Sequence, residues 1–212
     1  MLVAPHDSVT LSLPEAEAQI LLGNATELSL PDCSVQSVIS SPPYCTRIDY
    51  AMATAIELAI LRFSGRSFDL LRRSLMGSAT VQKGSQRLQE SWGKTCLRFL
   101  EQLQRHPSKA SKTYYYRNHV QYFESLFKSL QEIFRVLEPR GFCALVVQDS
   151  YYKELHNDIP RITTEMAENI GLIIKCRNDF AAIPSMVAMN IGARKYLRLR
   201  RNTESVLCFE RS

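Results

Sequence analysis

The residues best suited to chemistry in this 212-residue chain stand in a row, Ser41-Pro42-Pro43-Tyr44. The run before them, Val35 to Ser40, reads as a buried strand, so the four fall at a strand's C-terminal tip. Open α/β sheets put their ligands at that edge. The hydroxyl of Ser41 and the carbonyl of Pro42 are two hydrogen-bond acceptors side by side. Each proline lacks an N–H and has a fixed φ, which stiffens the turn and leaves its carbonyls free. Such a corner suits an aromatic amine, whose lone pair is delocalised into its ring and attacks a methyl donor slowly. Acceptors that draw on the amine's N–H protons favour a pyramidal nitrogen and expose that lone pair. Tyr44 adds a ring on which an extruded nucleobase can stack. A Ser-Pro-Pro turn by itself also simply ends strands. The flanking sequence decides between the two readings.

Upstream stand Ile20-Leu21-Leu22-Gly23-Asn24-Ala25 and Pro31-Asp32; downstream, Cys45-Thr46-Arg47-Ile48-Asp49-Tyr50 leads into an apolar helix through Glu57-Leu58-Ala59. With these flanks the chain resembles the amino-group DNA methyltransferases, which modify cytosine N4 or adenine N6. It looks most like the branch whose catalytic motif comes first in the polypeptide, and the Ser-Pro-Pro-Tyr spelling is typical of cytosine-N4 members. The likeness continues through Leu137 to Val147 and through Ser205 to Glu210, which resemble the family's next strand and its final hairpin strand.

The resemblance implies an α/β chain with an incomplete Rossmann-like S-adenosylmethionine-dependent methyltransferase fold and a helical insertion. It implies methyl transfer from S-adenosylmethionine to the exocyclic amine of a flipped base, with Ser41, Pro42, Pro43 and Tyr44 as the catalytic residues. Arg47, Asp49 and Tyr50 follow the motif at once and are candidates for substrate binding. Asp49 is expected either to hydrogen-bond the base or to pair with Arg47. Asp149 and Ser150, at the next strand tip, are expected to line the same pocket. Tyr44→Phe is expected to be tolerated better than Tyr44→Ala, because the ring and not the hydroxyl is invoked.

One family feature is missing. No two of the 8 glycines form the Gly-x-Gly turn that normally receives S-adenosylmethionine. Side-chained residues cannot easily imitate that close backbone approach. In this branch the cofactor half follows the catalytic half, yet the sequence stops at Ser212. The expectation is the catalytic half of a split enzyme: residues 1–212 form a single half-domain, residues 63–118 a basic helical insertion within it, and a second subunit carries the glycine motif. A heterodimer within a restriction-modification system would fit. Other readings are an adenine-N6 enzyme, an RNA-amine methyltransferase, or an inactive DNA-binding or assembly subunit of the same fold.

Charge agrees with a nucleic-acid partner. The net charge is +5, and the basic residues from Arg66 to Lys112 are opposed only by Asp69, Glu90 and Glu101. Arg194, Lys195, Arg198, Arg200 and Arg201 form a second cluster, expected to meet DNA phosphates. The 6 cysteines show no Cys-x-x-Cys spacing and the 4 histidines no ligand spacing, so no metal is expected and a reducing cytoplasm suits the thiols. Cys45 sits beside the motif, but direct methyl transfer needs no covalent nucleophile, and a packing role is expected for it. No run is long and apolar enough to span a membrane.

The positioning elements follow from periodicity. Strands are expected near Gln19–Leu22, Val35–Ser40, Phe142–Gln148, Leu172–Arg177 and Ser205–Glu210. Val120, Phe123, Leu126, Phe127 and Leu130 mark one side of a long helix opening at Tyr114-Tyr115-Tyr116, and Ile159 to Asn169 reads as another helix. The small, polar stretch from Gly77 to Gly84 has the composition of a loop over a substrate.

Overall fold

The structure is a computed structural model that describes residues 18–45, 48–78, 80–81, 88–181 and 202–212. Val35–Ser40 forms β1, and Leu137–Gln148 forms β2, laid parallel to it. The short strands β3 (Ser150–Tyr152) and β4 (Leu155–Asn157) make a hairpin beyond β2. Leu172–Ala181 is β5 and Thr203–Arg211 is β6, both antiparallel to their neighbours. The main sheet has the order β1-β2-β6-β5. β1, β2, β5 and β6 fall where strands are expected, the last three of them longer, whereas the β3–β4 hairpin was not foreseen; β1 is an edge strand with no buried residue, not the buried strand expected, and the chain is α/β.

Gln19–Leu22 is the exception: it is not a strand, and Ile20 is 98% exposed. No described strand lies beside it, and an extended segment without a ladder leaves its amides to water. The guanidinium of Arg135 instead guides the next stretch towards β1, donating to the carbonyls of Leu28 and Leu30 at 2.9 Å and to Asp32 at 2.6 Å.

Helices cover one side of the sheet. After α1 (Tyr50–Ala53), α2 (Ala55–Ile60) and α3 (Gly65–Ser74) come α4 (Gly93–Arg105), α5 (Tyr116–Val136) and α6 (Ile159–Asn169). The expected stripe of α5 is buried, Phe123 and Leu130 among it, and a π-helical turn at Ser111–Tyr115 precedes the helix. Trp92, Cys96, Phe99 and Leu100 place α4, part of the expected insertion, in the same core. From the sheet, Leu145, Val147, Leu207 and Phe209 complete that core. Asp158 starts α6 by accepting from the Arg161 amide, two residues before Pro160 enters its first turn.

Side chains alternate along a strand, so the neighbours of these core residues point the other way. On that side Ile39 is 81% exposed, Phe142 41% and Phe180 55%. Cross-strand register aligns Ile39 with Ala144 and Cys208, and Phe142 with Glu210 and Ile173. The described residues leave this face, and the outer edge of β1, uncovered.

Candidate active site

Ser41 leaves β1 at its C-terminal end and is exposed, while Pro42, Pro43 and Tyr44 are half-buried. The proline corner is therefore open and not sealed beneath the core. Ser41 Oγ donates to the Val146 carbonyl at 3.3 Å, which keeps the residue alongside β2. With its proton directed there, the oxygen presents its lone pairs outward. Buried Tyr122 of α5 donates its hydroxyl to the Pro43 carbonyl at 2.9 Å. The Tyr44 amide donates to the Tyr50 hydroxyl at 3.0 Å. Among the described residues no hydrogen bond reaches the Pro42 carbonyl. The corner is thus fixed through Pro43 and Tyr44, leaving Ser41 Oγ and Pro42 O as acceptors.

A second layer packs on the corner. Gly77 has φ +73, and a Cβ there would lie 3.4 Å from the Tyr44 carbonyl and 3.8 Å from Pro43 Cβ. Asn118 donates to the Ser78 carbonyl at 2.9 Å and Gln121 to that of Thr80 at 3.3 Å. One helix, α5, therefore secures both the motif and the start of the Gly77–Gly84 stretch; Ala79 and residues 82–87 are outside the described residues.

Tyr44 donates its hydroxyl to Glu204 Oε1 at 2.6 Å. That bond, followed by burial, pushes the phenol up to about 12. Cys45 is buried, and desolvation pushes its thiol far above the ordinary range, so it stays protonated. A packing role agrees with this.

The substrate-binding candidates divide. Tyr50 supports the corner through its hydroxyl. Asp49 caps α1, accepting from the Met52 amide at 3.2 Å, and its other oxygen lies 2.6 Å from Arg72 Nη2 and 2.7 Å from Nε. Both carboxylate oxygens are therefore engaged, and the partner found is Arg72. Arg47 lies outside the described residues, as do Arg194, Lys195, Arg198, Arg200 and Arg201.

Asp149 and Ser150 are buried and tie the hairpin to the strand tips. Asp149 accepts from His156 Nε2 at 2.8 Å and from the Thr203 amide at 2.8 Å; Ser150 Oγ accepts from Asn157 at 3.1 Å. The hydrogen bond to Asp149 raises the His156 pKa, and Asp158 adds to it, while burial opposes them. The Tyr151 ring lies against the imidazole at 4.8 Å. A raised histidine pKa stabilises the fold fully below the unfolded value of about 6.5, and that stabilisation is lost as pH rises through the folded value. Thermal unfolding followed from about pH 5 to about pH 9 should therefore show the wild type losing its advantage over His156→Gln. Parallel pH profiles for the two proteins would remove the ion pair from the account.

Tyr122 and Glu204 are functional residues that the sequence does not mark. Tyr122 and Glu204 lie 79 and 160 positions from the residues they hold, so no local pattern marks them. Gly77 alone carried a signal, as a glycine opening a small-residue stretch. Among the described residues no group of three potential ligands could hold a metal, and no helix is long and apolar enough to cross a membrane.

The described glycines do not build a cofactor turn. Gly77, Gly93, Gly141 and Gly171 are each packed by the chain's own Tyr44, Glu165, Glu138 and Phe134. Gly23 and Gly65 have open space, but Gly23 precedes β1 and Gly65 opens α3, so neither follows a strand.

No family model matches the chain. Over 151 residues it is 30% identical to the Type II methyltransferase M.AvaI of Nostoc sp. (strain PCC 7120 / SAG 25.82 / UTEX 2576) and to that of Anabaena variabilis. The match takes in 65% of this chain and 31% of each relative, so the chain spans about a third of their length. Among solved structures it is similar to TTHA0409 of Thermus thermophilus, assigned to the DNA modification methylases and solved with S-adenosyl-L-methionine, with 15% identity and a TM-score of 0.45. That alignment covers 90% of this chain and 54% of the other. The cytosine-N4-specific PvuII DNA methyltransferase gives 14% identity and a TM-score of 0.46 over 90% of this chain and 48% of its own. Both scores lie under 0.5, and the sequence match to M.AvaI is the stronger likeness.

Proposed function

We propose that this chain is the base-holding, catalytic part of a DNA amino-methyltransferase acting on cytosine N4, with a second polypeptide supplying the cradle for S-adenosylmethionine. The observation that carries the reading is the pair of acceptors, Ser41 Oγ and Pro42 O, held on a fixed and open corner beside the Tyr44 ring. The likeness to the Type II methyltransferase M.AvaI supports a methyltransferase.

In this reading the amine of an extruded cytosine donates its two N–H groups to Ser41 and Pro42. The nitrogen's lone pair would then stand clear of the ring to take the methyl group, the donor's S–CH3 bond breaking as the N–C bond forms and one amine proton being released. Tyr44 holds the base by stacking, and Asp49 with Arg72 keeps the segment after the corner in place. A protonated Cys45 takes no part. S-adenosylmethionine supplies the methyl group, and the lack of any Gly-x-Gly in the sequence supports its residence on the partner. The sheet face and the β1 edge that the described residues leave bare support the partner itself, since exposed sheet edges are normally paired or covered.

The test is to tag this chain in its own host, purify it with whatever travels with it, and assay tritium transfer from S-adenosylmethionine to duplex DNA and, separately, to RNA. Hydrolysed DNA should release labelled N4-methylcytosine. Label in N6-methyladenine would change the base, and label in RNA alone the substrate class. A chain that stays monomeric and binds S-adenosylmethionine unaided would refute the partner.

A further inference from the structure

Glu204 stands near the start of β6, opposite Gln148 of β2 and Phe180 of β5. By alternation it shares the uncovered side of the sheet with Val206 and Cys208, while Ser205 and Leu207 face the core. Tyr44, arriving from the corner after β1, crosses to this row and donates its hydroxyl to the carboxylate at 2.6 Å. Hydrogen bonds from a hydroxyl to a carboxylate are short and roughly twice as strong as neutral ones. No other hydrogen bond reaches the Glu204 carboxylate among the described residues.

An aromatic platform works only if its plane is set before the base arrives. A half-buried tyrosine held only at its backbone can turn about χ1 and χ2. The Tyr50 bond to the Tyr44 amide fixes the backbone; Glu204 fixes the far end of the ring. We infer that Glu204 is a positioning residue: it sets the plane of Tyr44 beside Ser41 and Pro42, and so places the base-holding cleft on the uncovered side of the sheet. This rests on the base-holding role proposed above. The phenol remains a donor at neutral pH, its pKa having been pushed up to about 12. The hydroxyl of Tyr44 then contributes beside its ring, so Tyr44→Phe loses activity even though it keeps the ring to which the sequence reading assigned the whole role.

A double-mutant cycle in the complex purified through this chain tests the inference. The variants are Tyr44→Phe, Glu204→Ala, Glu204→Gln and the double Tyr44→Phe/Glu204→Ala. Single-turnover methyl transfer to duplex DNA and the KM for DNA are read for each. Tyr44→Phe and Glu204→Ala should each lower kcat/KM about tenfold, mainly through KM, with the double variant no worse than either. Glu204→Gln keeps an acceptor for the phenol and should stay within about threefold of wild type. Losses that multiply in the double variant, or a Glu204→Ala enzyme at wild-type rates, would overturn the inference while leaving the function standing. A wild-type complex that methylates nothing would instead bring down the base-holding role, and this inference with it.

Discussion

Ser41→Ala is expected to cut methyl transfer by about a hundredfold or more while the protein folds and assembles as before. Removing one preorganised hydrogen-bonding group at a reacting centre typically costs that much. Ser41 sits on the reacting amine in the proposed function, and alanine leaves one of its two N–H groups without an acceptor. The folded state loses little. The Ser41 bond to Val146 is long at 3.3 Å and exposed, and such a bond contributes about 1 kcal/mol or less. Single-turnover rates with saturating DNA, beside thermal unfolding of the same preparation, separate the two effects. Near-normal turnover in a folded variant would remove Ser41 from the chemistry. A large fall in melting temperature would instead reveal a structural role that the geometry gives no reason to expect.

Ile39→Glu is expected to have the opposite signature: no effect on the chain alone and a severe effect on its assembly. Ile39 is 81% exposed near the C-terminal end of β1, and exposed substitutions usually change stability by about 0.5 kcal/mol or less. If a partner covers this face, the new carboxylate is buried there without a counter-charge. Such a burial costs about 3 kcal/mol or more, equivalent to a loss of affinity of about a hundredfold. Size-exclusion chromatography of the tagged complex, wild type against variant, reads the result directly. Equal recovery of the partner would show that this face lies outside the interface. Ile173, aligned with Phe142 on the same side, provides a second position for the same test.

The success of the sequence reading has a local cause. Val35–Ser40, the run after Gly141, Leu172 onward and Ser205 onward are apolar segments bounded by turn residues, and each became a strand because another lay ready to pair with it. Gln19–Leu22 has a similar composition, but no described strand lies beside it to pair with. The long helix was legible because its buried positions repeat with helical spacing, and burial of Phe123, Leu126 and Leu130 is what that spacing achieves.

Asp49 shows where such reading ends. Its candidate partners were the base and the adjacent Arg47, but the folded chain uses the first turn of α1 and an arginine 23 positions away. Asp149 and Ser150 likewise fell at the strand tip as expected, and then spent their hydrogen bonds on the hairpin.

By itself the sequence determined the proline corner, because two consecutive prolines and their fixed φ are properties of the residues alone. It also marked four of the strands, β1, β2, β5 and β6, since an apolar run bounded by turn residues is carried along the chain. Only the tertiary structure decided which oxygens of the corner stay open and which are tied, and that Tyr122, Tyr50 and Glu204 do the tying. Those bonds join residues brought together by packing α5 and β6 against β1 and β2, and a side chain's partner across a fold depends on that packing, not on its neighbours in sequence.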